Sequence, residues 1–85
     1  MISVKIILFA SLRESLGDSE FDLELSEGSS VSGLVEALGV AKGQRWTELL
    51  SGEKVLSAIN HTMVDDQQLI QNGDEVAFFP PVTGG

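Results

Sequence analysis

Apolar side chains occupy alternate positions along the first ten residues. Ile2, Val4, Ile6 and Leu8 fall on one face of an extended chain and Ser3, Lys5, Ile7 and Phe9 on the other, which predicts a first strand whose first set is core. Ser11 and Glu14 have capping-box spacing and Gly17 suits a helix exit, so a short helix over Leu12 to Leu16 is expected. Phe21, Leu23 and Leu25 alternate with Asp22 and Glu24 as a second strand. The period then changes. Val31, Leu34, Val35 and Leu38 stand at i, i+3, i+4 and i+7 behind Ser30, a good N-cap, and Gly39 is the expected end of this main helix. Trp46, Leu49 and Leu50 indicate a further helical stretch between Gly43 and Gly52, with Trp46 read as packing. Strands are expected over Val55 to Asn60, Thr62 to Val64 and Glu75 to Phe79, the last entered through an Asn72-Gly73-Asp74 turn.

Strand, strand, long helix, then strands is an α+β order. One main helix lying across a mixed sheet is the β-grasp, or ubiquitin-like, arrangement, and it accounts for residues 1–79 as one domain. From Pro80 the pattern stops: Pro80 and Pro81 cannot donate to a sheet ladder, and Val82, Thr83, Gly84 and Gly85 carry neither helix nor strand signals. Residues 80–85 are therefore expected to form an extended, flexible tail. Six extended residues reach roughly 20 Å at about 3.3–3.6 Å each, enough to enter another protein.

Composition narrows the chemistry. With 85 residues the chain builds one core and no large enclosed site, so reactivity must sit at an edge, a terminus or a shared interface. Thirteen acidic against five basic residues give a net charge of −8, which repels a nucleic-acid backbone and favours a partner with a basic cleft. Without cysteine, disulfides, thiolate metal sites and cysteine nucleophiles are excluded, and a cytoplasmic setting is expected. The apolar run Ile2 to Ala10 has no basic leader and is far short of the roughly 20 residues of a membrane helix, so no membrane partner is expected. His61 with Asp65 and Asp66 matches no ligand spacing, and no metal site is assigned. No phosphate loop, dinucleotide glycine pattern or Gly-x-Ser-x-Gly elbow is present.

What remains is the tail. Gly84 and Gly85 lack a β-carbon, so they fit a channel too narrow for side chains and adopt whatever backbone angles it imposes. The group so delivered is the Gly85 carboxylate, a poor acyl donor until another enzyme activates it, for example as an acyl-adenylate made from ATP.

The run Asn72-Gly73-Asp74-Glu75-Val76-Ala77-Phe78-Phe79-Pro80-Pro81-Val82-Thr83-Gly84-Gly85 resembles the ending of the small, sulfur-carrying subunits of molybdopterin synthase. Phe9-Ala10, Arg13-Glu14, Arg45-Trp46 and Ala58-Ile59-Asn60 extend the likeness over most of the chain, and Val40 to Lys54 is otherwise its least distinctive part. The resemblance implies a carrier that binds no cofactor itself. An activating adenylyltransferase similar to ubiquitin-type E1 enzymes would adenylate Gly85 with ATP, and a sulfur donor enzyme would convert it to a thiocarboxylate. Pro80, Pro81, Val82, Thr83 and Gly84 would then thread into the large synthase subunit, in a heterotetramer of two small and two large chains. Two sulfur transfers to cyclic pyranopterin monophosphate would build the dithiolene of molybdopterin.

Strand parity adds a docking surface. With Ile6 and Leu8 in the core Phe9 faces outward, and with Val76 and Phe78 inward so do Glu75, Ala77 and Phe79. In a β-grasp sheet the first and last strands are parallel neighbours, so Phe9 and Phe79 should meet at the root of the tail. The resemblance adds Met63 as a further partner contact. A carrier for another pathway such as thiamine synthesis, a ubiquitin-like protein modifier and a noncovalent interaction domain are the competing readings.

Overall fold

The computed structural model describes residues 1–52 and 54–80. Its elements are β1 (Ile2–Leu8), α1 (Ala10–Leu16), β2 (Glu20–Leu25), α2 (Val31–Lys42), α3 (Gln44–Leu50), β3 (Leu56–Ile59), β4 (Thr62–Val64) and β5 (Glu75–Phe79). The five strands form one sheet in the order β2-β1-β5-β3-β4, with β1 and β5 parallel at its centre and every other pair antiparallel. This mixed sheet under a main helix is the β-grasp arrangement expected from the sequence. None of its helices is long and apolar enough to cross a membrane among the described residues.

The alternating pattern of β1 buries Ile2, Val4, Ile6 and Leu8, while β5 contributes Val76 and Phe78. Against them α2 lays Val31, Leu34, Val35 and Leu38, and Leu12, Leu25, Trp46, Leu50, Ile59 and Ile70 close the cluster. Burying a side chain such as Phe78 contributes about 1.5–3 kcal/mol, so β5 is anchored firmly up to the residue before Phe79. At the sheet's far edge Lys42 sits 4.4 Å from the Phe21 ring centroid and 3.5 Å from an Asp18 carboxylate oxygen, while Phe21 meets Trp46 edge-on. These contacts fasten the end of α2 to β2.

Three local expectations are overturned. Gly39 does not end α2, which continues to Lys42 and stops at Gly43. The reason lies in α3: Thr47 donates its hydroxyl to the Val35 carbonyl at 3.1 Å, and a β-carbon at position 39 would collide with Thr47 Oγ1 and lie 3.1 Å from its Cβ. Gly39 is there to let the two helices touch. Gly39→Ala would gain roughly 1 kcal/mol of helix propensity but overpack this contact by about 1–3 kcal/mol. A net loss of stability is expected in urea unfolding, partly restored by adding Thr47→Ala.

Ser11, in turn, does not cap α1. The helix starts two residues earlier with Phe9 at its N-cap position, no side chain supplies the cap, and the Phe9 carbonyl instead accepts from the Leu12 N–H at 3.1 Å. The exit is as expected, since Gly17 is left-handed and donates its N–H to Arg13. Strand β3 is also shorter than the Val55 to Asn60 run. Asn60 and His61 both take positive φ in a two-residue turn, and the Asn60 amide ties that turn to Asp74 and to the Glu75 N–H.

Candidate functional site

One face of the sheet is covered by α2 and the other is open. On the open face, register brings Ile7, Ala77, Ala58 and Met63 into one cross-strand row, and Phe79 and Leu56 into the next. The row is apolar throughout. Ala77 is only 8% exposed although it points away from the core, because Ile7 and Ala58 flank its small side chain. Leu56 and Met63 are 42% and 55% exposed, two large apolar side chains open to solvent on one sheet face.

Phe9 and Phe79 do meet. Their ring centroids are 4.7 Å apart and their planes differ by 7°, an offset stack at the point where the chain leaves β5 for Pro80. The Phe9 N–H donates to the Phe78 carbonyl at 3.2 Å, so the parallel β1–β5 pairing extends one residue beyond the strand and fixes where the first ring stands. Met63 shares this face but lies two strands away on β4. Leu56, directly opposite Phe79, went unread in the sequence: its face depends on the β3–β5 register, for which only its spacing of two from Ala58 gave a sign.

The β2 edge of the face is acidic. Glu20, Asp22 and Glu24 project from β2 on the same side by strand alternation, and Glu20 reaches Lys5 at 3.8 Å. An apolar patch beside a carboxylate strip suits a partner that offers an apolar surface edged with basic groups. On the helical side, Leu12, Leu49, Val55 and Pro80 floor a cavity of about 530 Å³ rimmed by Ser11, Ser15 and Lys54, so the chain leaves the domain between two apolar surfaces. His61 Nε2 lies 3.5 Å from Glu75 at the opposite end of β5, and no group of three or more acidic or histidine side chains is placed to hold a metal among the described residues.

Pro80 is the last described residue of the tail; Pro81, Val82, Thr83, Gly84 and Gly85 lie outside the described residues. Comparison with known proteins supplies what geometry does not. The molybdopterin synthase sulfur carrier subunit of Escherichia coli is 40% identical, with 96% of this chain and 99% of that protein covered. A solved structure from Pyrococcus furiosus, described as a molybdopterin converting factor subunit 1, is 32% identical over 96% of this chain and all of that one, with a TM-score of 0.81. The crystal structure of SAMP1 from Haloferax volcanii is 25% identical, covers 98% of this chain and 99% of that one, and has a TM-score of 0.82. The family model of the ThiS family matches residues 6–85, from the middle of β1 through the terminal diglycine, and this chain belongs to that family.

Proposed function

We propose that this chain is the sulfur carrier subunit of a molybdopterin synthase, acting through the carboxyl group of Gly85. The observation that carries the reading is the family match running through Gly85, together with the sulfur-carrier relative aligned over nearly its whole length. The open sheet face, with its aromatic pair at the root of the tail, supplies a surface on which an enzyme can seat the domain while taking the tail.

In this reading the folded domain does no chemistry; it presents a carboxylate at a fixed reach. The activating adenylyltransferase joins that carboxylate to the AMP portion of ATP and releases pyrophosphate. A sulfur nucleophile from the donor enzyme then displaces AMP and leaves a thiocarboxylate on Gly85. The large synthase subunit receives the tail in a two-plus-two heterotetramer and supplies the pterin site. Each transfer to cyclic pyranopterin monophosphate returns Gly85 to a carboxylate, and two build the dithiolene. Gly84 and Thr83 keep the inserted chain slender, while Pro80 and Pro81 direct it away from the body. The process is cytoplasmic.

The test is intact mass. After incubation with an activating enzyme, ATP and a sulfur source, the mass should rise by one oxygen-to-sulfur exchange, located at Gly85 by fragmentation. The likeness to SAMP1 favours a second reading, in which activated Gly85 is joined to lysines of other proteins. Lysine-linked conjugates without a thiocarboxylate would select it, and an unchanged mass would overturn both.

A further inference from the structure

The turn that leads into β5 carries a reactive pair that the sulfur-carrier reading does not use. Asn72 is followed by Gly73, both are exposed, and Gly73 has a φ of 86° with nothing packed where a β-carbon would stand. An asparagine side-chain amide is open to attack by the backbone nitrogen of the next residue, and glycine leaves that nitrogen without a side chain to hinder it. The chain's other asparagine, Asn60, precedes His61, whose side chain crowds the corresponding nitrogen.

Both reacting groups are tied to one residue of the first strand. The Gly73 N–H donates to the Ser3 carbonyl at 2.8 Å, and Asn72 Oδ1 accepts from the Ser3 N–H, also at 2.8 Å. Further along, the Lys5 N–H donates to the Asp74 carbonyl at 3.0 Å, where the regular β1–β5 ladder begins. The Asn72 side chain thus carries that ladder past the turn, its amide oxygen serving where a backbone carbonyl would. Ring closure requires the Gly73 nitrogen to give up the proton held by Ser3 and the Asn72 side chain to turn toward that nitrogen, while the bond from the Ser3 N–H holds it on the strand.

We infer that Asn72 is a deamidation site gated by Ser3: the paired turn resists the reaction, and opening of the end of β1 releases it. In the open turn the Gly73 nitrogen loses its proton and bonds to Asn72 Cγ, and the Cγ–Nδ2 bond breaks as the side-chain nitrogen leaves as ammonia. Water then opens the succinimide at either carbonyl, so one amide and one water become one carboxylic acid and one ammonia. Opening at one carbonyl gives aspartate, which still offers Ser3 an acceptor. Opening at the other gives isoaspartate, whose main chain runs through the β-carbon, and the added backbone atom displaces the turn from Ser3.

The experiment follows deamidation of the full chain by peptide mass spectrometry at one pH and temperature, folded and in urea, beside amide hydrogen exchange of Gly73. The urea-unfolded chain should convert Asn72 to aspartate and isoaspartate, with Asn60 lagging behind. In the folded chain the conversion should be slowed by the same factor as Gly73 exchange, because both need the same local opening. Ser3→Pro removes the N–H that holds Asn72 Oδ1, and Ile2, as a strand residue, already has the extended backbone required before proline. Losing that bond should speed conversion in the folded chain roughly two- to tenfold. Absence of conversion at Asn72 in the unfolded chain would overturn the site, and equal rates in the folded and unfolded chains would overturn the gate. A slowing that does not follow Gly73 exchange, or a folded Ser3→Pro that converts no faster than the parent, would remove Ser3 from it. If Ser3→Pro does not fold, the comparison of conversion with exchange in the parent decides.

Discussion

Deleting Gly85 should reduce sulfur transfer to background while leaving the thermal melt of the domain unchanged. The truncated chain still ends in a glycine carboxylate, that of Gly84, so the experiment removes no type of functional group; it only shortens the reach. One extended residue spans about 3.3–3.6 Å, and a misplacement of roughly 1 Å at a reacting centre can already cost on the order of 100-fold in rate. Every buried residue of the core cluster precedes Phe79, so nothing that holds the fold is removed with residue 85. Thiocarboxylate formation followed by intact mass, and transfer followed by molybdopterin production with the large subunit, would separate loss of activation from loss of delivery. Extension by one residue beyond Gly85 should fail equally, since the reacting carboxyl then stands one residue too far along the channel. Normal rates in either variant would show that the terminal position of Gly85 is not what matters.

Much of the fold was legible because its signals are local and periodic. The alternation in β1 and β5 places Ile6, Leu8, Val76 and Phe78 inside and Phe9 and Phe79 outside, and the parallel pairing then brings the two rings together. The failures share the opposite cause. Gly39 carries the local mark of a helix end, but its role is set by Thr47 on another helix, which no pattern around position 39 announces. Ser11 has the spacing of a cap, but the start of α1 is dictated from β5, through the bond that holds Phe9 in the ladder. Leu56 belongs to the open face through a register that a short four-residue strand does not reveal by itself. The reading of the tail has a different basis, elimination of the other reactive groups in the sequence, and the Gly85 variants above are what test it.

The open face should respond to charge. Phe79→Arg and Met63→Arg are each expected to weaken binding to the large synthase subunit at least tenfold in calorimetric titration. Burying one such apolar side chain at an interface contributes about 1.5–3 kcal/mol, and tenfold in affinity corresponds to about 1.4 kcal/mol, so loss of the contact alone accounts for the factor. Arginine adds to it by bringing an unpaired charge into a surface that must lose its water. The two variants differ in what they do to the free domain. Phe79 is half-buried against Phe9, and losing a stack worth about 0.5–1.5 kcal/mol should lower the melt by several degrees in a domain of this size. Met63 is more than half exposed on the edge strand β4, so its replacement should leave the melt in place. Weaker binding in both variants with a preserved melt in Met63→Arg would establish the face as the docking surface, since the two residues lie two strands apart and share little besides that face. Undiminished affinity in Met63→Arg, with loss in Phe79→Arg only alongside a collapsed melt, would assign the aromatic pair to holding β1 on β5 and leave the partner to dock elsewhere.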